Sequence, residues 1–265
     1  MKLPKLTTKQ EQILQLLYKY RYLDRIQIQK ALKHKDKRRV LAWLKDLREK
    51  QYIEWIYSTD FIEKTKPAIY YLGINGIRYL KSLDKYPIEE IRKRYKEDNR
   101  SRTFIDRSLL IADCALTLKT VGSGYGCIVE ADYIDPAHEY HFLAEHDILR
   151  PSLYIQKQTK QQEVTTSYLL ELFDATLPRY RMRRRLKAYV TYLEDGEWEG
   201  GDPQPVILLV CPNITELIYA KRATKKLIED SYEEDMHILF TTTEILKNES
   251  ITAKIWEDGR LRYGL

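Results

Sequence analysis

Lys35, Lys37, Arg38, Arg39 and Lys45 crowd one stretch, KHKDKRRVLAWLKDLREK (Lys33–Lys50). The chemistry open to such a set is non-covalent. Ammonium and guanidinium groups neutralise phosphates and release their counterions, and the same groups reach base edges in a DNA groove. Val40, Leu44 and Leu47 recur at i, i+4, i+7 and give the stretch one apolar helical face. A helix held by that seam presents Lys35, Lys37, Arg38, Arg39, Ala42 and Lys45 for base or phosphate contact. The competing reading is a solvated basic face with no ligand. Trp43 lies between the two faces and reads as a packing residue before a base-stacking one.

The elements around this helix favour the first reading. Thr8 is an expected N-cap for a helix carrying Ile13, Leu14, Leu16 and Leu17, with Glu11 as its capping-box partner. Asp24 caps a second short helix through Leu32, and Asp36 caps the basic third. The period then switches from helical to alternating: Ile53–Tyr57 and Ala68–Leu72 read as paired strands. The connection between them carries Lys64 and Lys66. Gly73-Ile74-Asn75-Gly76 opens a further helix over 77–83. Three helices, a hairpin with a basic tip and a closing helix make a winged helix-turn-helix. The segment YYLGINGIRYL (Tyr70–Leu80) resembles the Y-x-L-x-x-x-G ending of winged-helix DNA-binding domains. That resemblance implies the third helix in the major groove and Lys64 and Lys66 along a backbone or the adjacent minor groove.

Charge follows the same division. Residues 1–107 hold 27 Lys and Arg against 14 Asp and Glu, a surplus of 13 positive charges; the remainder holds 18 against 25, a deficit of 7. A basic N-terminal module on an acidic remainder is the composition of a polyanion-binding part joined to something else. At 265 residues, 43% hydrophobic and 32% charged, the chain has room for one large or two ordinary domains. No apolar run approaches the ~20 residues of a membrane span, and the N-terminus lacks the apolar core of a secretory signal. Cys114, Cys127 and Cys211 are few, scattered and odd in number, as expected of a cytoplasmic protein with reduced thiols. Neither CxxC nor Cys/His zinc spacing occurs, so no metal or other cofactor is expected.

Domains are expected at 1–84 (winged helix-turn-helix), 85–107 (polar helical linker) and 108–265. In the last, a helix over 103–118 precedes strand-like runs at 127–131, 153–156, 168–173, 206–211 and 237–241. Helices are expected over 178–193 and 215–231. Leu169–Phe173 and Val206–Val210 are nearly continuous apolar runs, as in strands covered on both faces. The fold class is therefore two-domain, α+β followed by α/β with a mixed sheet. Gly122-Ser123-Gly124-Tyr125-Gly126 is read as a turn, since a phosphate loop would need a Lys and Ser/Thr that are missing. His138, His141 and His146 with Glu139, Glu145 and Asp147 match no recognised ligand spacing. Arg179, Arg181, Arg183, Arg184, Arg185 and Lys187 fill the first turns of the 178–193 helix. They suit phosphate or single-strand binding, with Arg181 and Arg184 foremost, and equally suit salt bridges to this domain's carboxylates.

The order of elements in the second domain resembles the restriction-endonuclease-like core. The whole chain resembles the replication-relaxation family of plasmid and mobile-element proteins. There a winged helix precedes a Pro-Asp step, a strand ending Glu-x-Asp and a helix with a lysine and a tyrosine. The matching stretches are RPSLYI (Arg150–Ile155), LLELFDATLP (Leu169–Pro178) and RLKAYVTYL (Arg185–Leu193). Metal-dependent nucleases of this fold need carboxylates for Mg²⁺ and a lysine for the developing charge. Here Ser152 replaces the first carboxylate, Phe173 stands where the lysine is expected, and Asp174 lies one residue late. Asp147, Glu171, Asp174 and Lys187 are the only constellation that would serve a nuclease, the alternative to a fold without catalysis. The resemblance implies a sequence-specific, double-stranded DNA-binding protein, expected as a homodimer. Its roles would be replication, relaxosome assembly in conjugation with relaxase or replication proteins, or transcription regulation.

Overall fold

A computed structural model describes residues 3–57, 65–120, 124–145, 149–161, 163–194, 198–200, 203–230 and 236–258. The chain divides into two compact units, residues 1–116 and 117–265. It is a two-part α/β protein with an all-antiparallel small sheet and a mixed large one.

In the first unit α1 (Thr8–Tyr20), α2 (Arg25–Ala31) and α3 (Lys37–Glu49) are followed by β2 (Ile53–Ile56) and β3 (Ile69–Leu72). A two-residue strand, β1 (Leu23–Asp24), pairs with β3, so the sheet order is β1-β3-β2. The first cap differs from expectation. Thr7 is the N-cap of α1 and Gln10, not Glu11, closes the reciprocal box. The helix starts one residue earlier than Thr8 would allow, because Gln10 at the third position reaches the Thr7 backbone N–H. Asp24 and Asp36 cap α2 and α3 as expected.

After β3, α4 (Ile74–Ser82) begins at the glycines of the Tyr70–Leu80 segment. A Cβ on Gly76 would lie 2.2 Å from the Tyr52 carbonyl oxygen, and one on Gly73 would lie 2.7 Å from that of Gln51. Both glycines therefore let α4 press against the turn that links α3 to β2. Gly73 N–H donates to the Tyr52 oxygen and Asn75 N–H to that of Gln51, which uses the same close approach.

The 85–107 segment, expected as a polar helical linker, is partly buried. It forms α5 (Ile88–Lys93) and a 3-10 helix (Arg94–Asn99) that leads to α6 (Arg102–Thr120). Ile91, Arg94 and Glu97 are buried. Glu97 accepts from the Tyr22 hydroxyl at 2.7 Å and pairs with Arg21 at 2.8 Å. Burial, then the Glu97 hydrogen bond, pushes the Tyr22 phenol far up, so it remains a donor. This charged anchor fastens the segment to the first unit, and its polar composition conceals it in the sequence.

The second unit is built on a six-stranded sheet in the order β4-β5-β6-β7-β8-β9. Its strands are β4 (Tyr125–Val129), β5 (Leu153–Gln158), β6 (Val164–Leu172), β7 (Val206–Cys211), β8 (Ile238–Thr242) and β9 (Glu257–Asp258). β6, β7 and β8 run parallel, and the remaining neighbours pair antiparallel. Short helices α7 (Glu130–Tyr133) and α8 (Phe142–Glu145) lie between β4 and β5 in the chain. The parallel part is crossed over by α9 (Arg179–Glu194) and α10 (Ile214–Glu229), and α11 (Thr243–Asn248) follows β8. Leu169, Ile207, Leu209 and Phe240 from the sheet meet Met182, Leu186 and Tyr189 of α9 in one core. Among the described residues no helix is long and apolar enough to cross a membrane.

Candidate nucleic-acid interface

α3 is seated by its apolar seam: Val40, Leu44 and Leu47 are buried. A polar clamp fixes its C-terminal half on α1. Gln10 Nε2 and Lys50 Nζ both donate to Asp46 Oδ2, at 2.5 and 2.7 Å. The Lys50 hydrogen bond holds the Asp46 carboxyl below the usual range. At the other end Asp36 Oδ1 accepts from the Arg38 and Arg39 backbone N–H groups at 2.8 and 3.3 Å. The cap thus orients the turn that carries both arginines. Lys35, Lys37, Arg38, Arg39, Ala42 and Lys45 are all exposed. Lys45 makes a loose exposed ion pair with Glu49 at 3.8 Å. Among the described residues, Lys35, Lys37, Arg38 and Arg39 form no ion pair. Trp43 is half-buried and packs edge-on against His34, 5.0 Å between centroids, which makes it a packing residue.

Lys66 is exposed near the start of β3, and Lys64 lies outside the described residues. A stack at the root of the hairpin is absent from the sequence-based expectations. The Arg48 guanidinium lies 3.6 Å from the centroid of Trp55, which stacks on Tyr57 at 5.3 Å. Trp55 and Tyr57 are exposed. Their i, i+2 spacing, at the end of β2 and just beyond it, was the available signal.

In the second unit α9 divides its cations. Arg185 turns inward: its Nη2 donates to Glu171 Oε2 at 2.8 Å and to the Arg150 carbonyl oxygen at 2.7 Å. The Tyr189 hydroxyl lies 2.9 Å from the same carboxylate oxygen. Burial opposes the charge on Arg185, but Glu171 outweighs it and raises the guanidinium pKa. Burial, then Glu171, raises the Tyr189 phenol. Arg179 pairs with Glu216 at 2.9 Å on the surface. Arg181, Arg183, Arg184 and Lys187 are exposed or half-exposed and form no ion pair among the described residues. Tyr180, Arg183, Arg184 and Lys187 line a groove of about 580 Å³.

A model of replication-relaxation proteins matches residues 14–204, well over half of the chain. The chain belongs to the replication-relaxation family. No curated protein and no solved structure matches it. Of the nuclease constellation in this replication-relaxation chain, the described Glu171 and Asp174 are engaged by different neighbours. Glu171 is buried against Arg185 and Tyr189, so its carboxylate is already engaged by protein donors. Asp174 Oδ1 accepts from the Thr176 backbone N–H and hydroxyl, both at 2.7 Å, in a local turn. Lys187 lies in the groove with Arg183 and Arg184. Asp147 lies outside the described residues. Ser152, at the missing carboxylate's position, is buried and its hydroxyl accepts from the Leu172 backbone N–H at 3.3 Å. Among the described residues, Glu171 and Ser152 are turned to protein partners and do not fit a Mg²⁺ ion. Of the histidine cluster, His141 Nδ1 meets the Tyr133 carbonyl oxygen and His138 Nδ1 accepts from the Tyr140 N–H. Among the described residues no group of three His, Cys, Asp or Glu is placed to hold a metal.

Proposed function

We propose that this replication-relaxation protein is a sequence-specific reader of double-stranded DNA from a plasmid or other mobile element. Its first unit acts as a winged helix-turn-helix. The single observation that carries the reading is the surface of α3 and its leading turn: four cations without ion pairs among the described residues, on a helix whose opposite face is locked into a core. Unpaired cations stay available for phosphates and base edges, and a rigid seat fixes their spacing against a groove. Arg38, Arg39, Ala42 and Lys45 face the bases or their flanking phosphates, and Lys66 with Lys64 follows the backbone beside them. The Arg48–Trp55–Tyr57 stack stiffens the hairpin root.

The second unit, a degenerate restriction-endonuclease-like domain, serves assembly and contact rather than catalysis. Support for this comes from Glu171, whose Oε2 is engaged by both Arg185 and Tyr189. The protein works as a cytoplasmic homodimer on a two-fold site, in replication, in relaxosome assembly with relaxase or replication proteins, or in transcription control. Mapping bound sites across plasmid and genome tests the reading: enrichment at a short palindromic site near a replication or transfer origin is expected, and uniform occupancy contradicts it. Supercoiled plasmid incubated with the protein and Mg²⁺ or Mn²⁺ should stay supercoiled. Nicking abolished by Glu171→Ala would overturn the non-enzymatic assignment.

A further inference from the structure

We infer that the groove of α9 is a second nucleic-acid site, built for an unpaired strand. Tyr180, Arg183, Arg184 and Lys187 recur at i, i+3, i+4, i+7, so they form one stripe roughly 10 Å long on the helix surface. The groove beside this stripe, about 580 Å³, is floored by Val190 and Leu227 and ends at Glu194 and Asp230. Three features specify the occupant. Arg183, Arg184 and Lys187 have no ion-pair partner among the described residues, although this unit carries the chain's excess of carboxylates. Neighbouring Arg179 and Arg185 do find carboxylates, so pairing is available on this helix, and among the described residues these three do not take part in it. Their ligand is an anion with repeated charges, which is a phosphodiester backbone.

Tyr180 decides between strand and duplex. It is 66% exposed, and Arg181 Nε donates to its hydroxyl at 3.1 Å, which holds the ring at the head of the stripe. An exposed aromatic ring beside a cationic groove takes a base by stacking, and only an unpaired base offers its face. The carboxylates of Glu194 and Asp230 repel phosphates, so the strand follows the stripe from Tyr180 to Lys187 and leaves before the acidic end. This site goes beyond duplex recognition by α3, and it would capture the strand exposed when an origin is opened.

The test is fluorescence anisotropy of the full chain with a labelled oligothymidylate, with its duplex, and with an acidic peptide. Arg183→Glu with Arg184→Glu should weaken oligothymidylate binding and lower its salt slope by about 0.7 for each phosphate no longer neutralised. Tyr180→Ala should cost roughly 5- to 150-fold on the single strand and nothing on the duplex. Arg38→Glu with Arg39→Glu should do the reverse, so failure of this site and failure of the α3 reading are told apart. All substituted side chains reach solvent, and unchanged thermal unfolding confirms the fold. Overturning results are unchanged oligothymidylate affinity in the charge-reversed protein, equal losses on strand and duplex after Tyr180→Ala, or preference for the acidic peptide.

Discussion

α3 and α9 are both dense in Lys and Arg, yet the structure uses their charges differently. On α3 the side chains of Lys37, Arg38 and Arg39 form no ion pair among the described residues, and the buried residues of the helix, Val40, Leu44 and Leu47, are all apolar. On α9 one arginine is drawn inward to neutralise buried Glu171, one is tied to Glu216, and only the rest remain outward. A basic run in a sequence is therefore not one kind of object. What distinguishes a ligand-binding cation from a structural one is whether a strand or helix distant in sequence brings a carboxylate to it.

Substitutions can break that contrast. Arg185→Ala leaves Glu171 buried beside Tyr189 without its cation and should cost ~3 kcal/mol of stability in chemical denaturation, since an uncompensated buried charge is expensive. Arg184→Ala on the same helix should stay within ~0.5 kcal/mol of the native protein, as surface changes do. Equal losses for the two would erase the distinction between paired and unpaired cations. Gly76→Ala tests the seat of the first unit: its Cβ would meet the Tyr52 carbonyl oxygen at 2.2 Å, and forcing the helix aside should cost about 2 kcal/mol. Asp36→Ala removes the cap that orients Arg38 and Arg39 and should cost about 1 kcal/mol.

The smallest effect is on acid stability. The Asp46 carboxyl is held below the pKa of an unfolded aspartate, about 3.9, by the Lys50 hydrogen bond. Its contribution is therefore complete above that unfolded value and fades as pH falls through the lower folded one. Asp46→Asn should lower stability at neutral pH and leave strongly acid pH nearly unchanged, so that the acid limb flattens; an unaltered limb would remove Asp46 from the clamp.

Much of the fold is legible in the residues. The seam of Val40, Leu44 and Leu47 has a strict helical spacing, and Asp24 and Asp36 stand directly before the helices they cap. Val206–Cys211 reads as a strand to the residue because its apolar run is unbroken. Other features are hidden for physical reasons. β1 is two residues long and shows no period. Thr7 and Thr8 offer equivalent hydroxyls, and only the reach of Gln10 selects between them. Arg94 and Glu97 look like solvated charges, and their burial depends on Arg21 and Tyr22, far earlier in the chain. The division of the α9 arginines depends on Glu171 and Glu216, one on a strand before the helix and one on a helix after it.

The central claim is that α3 meets duplex DNA through its unpaired cations. Titration of a labelled duplex carrying the mapped site, across a series of salt concentrations, tests it most directly when the native protein is compared with Arg38→Glu plus Arg39→Glu. The account predicts that affinity falls on the order of 100-fold, that the salt slope drops by about 2, and that thermal unfolding does not move. Unchanged affinity and slope in a folded double variant would contradict it.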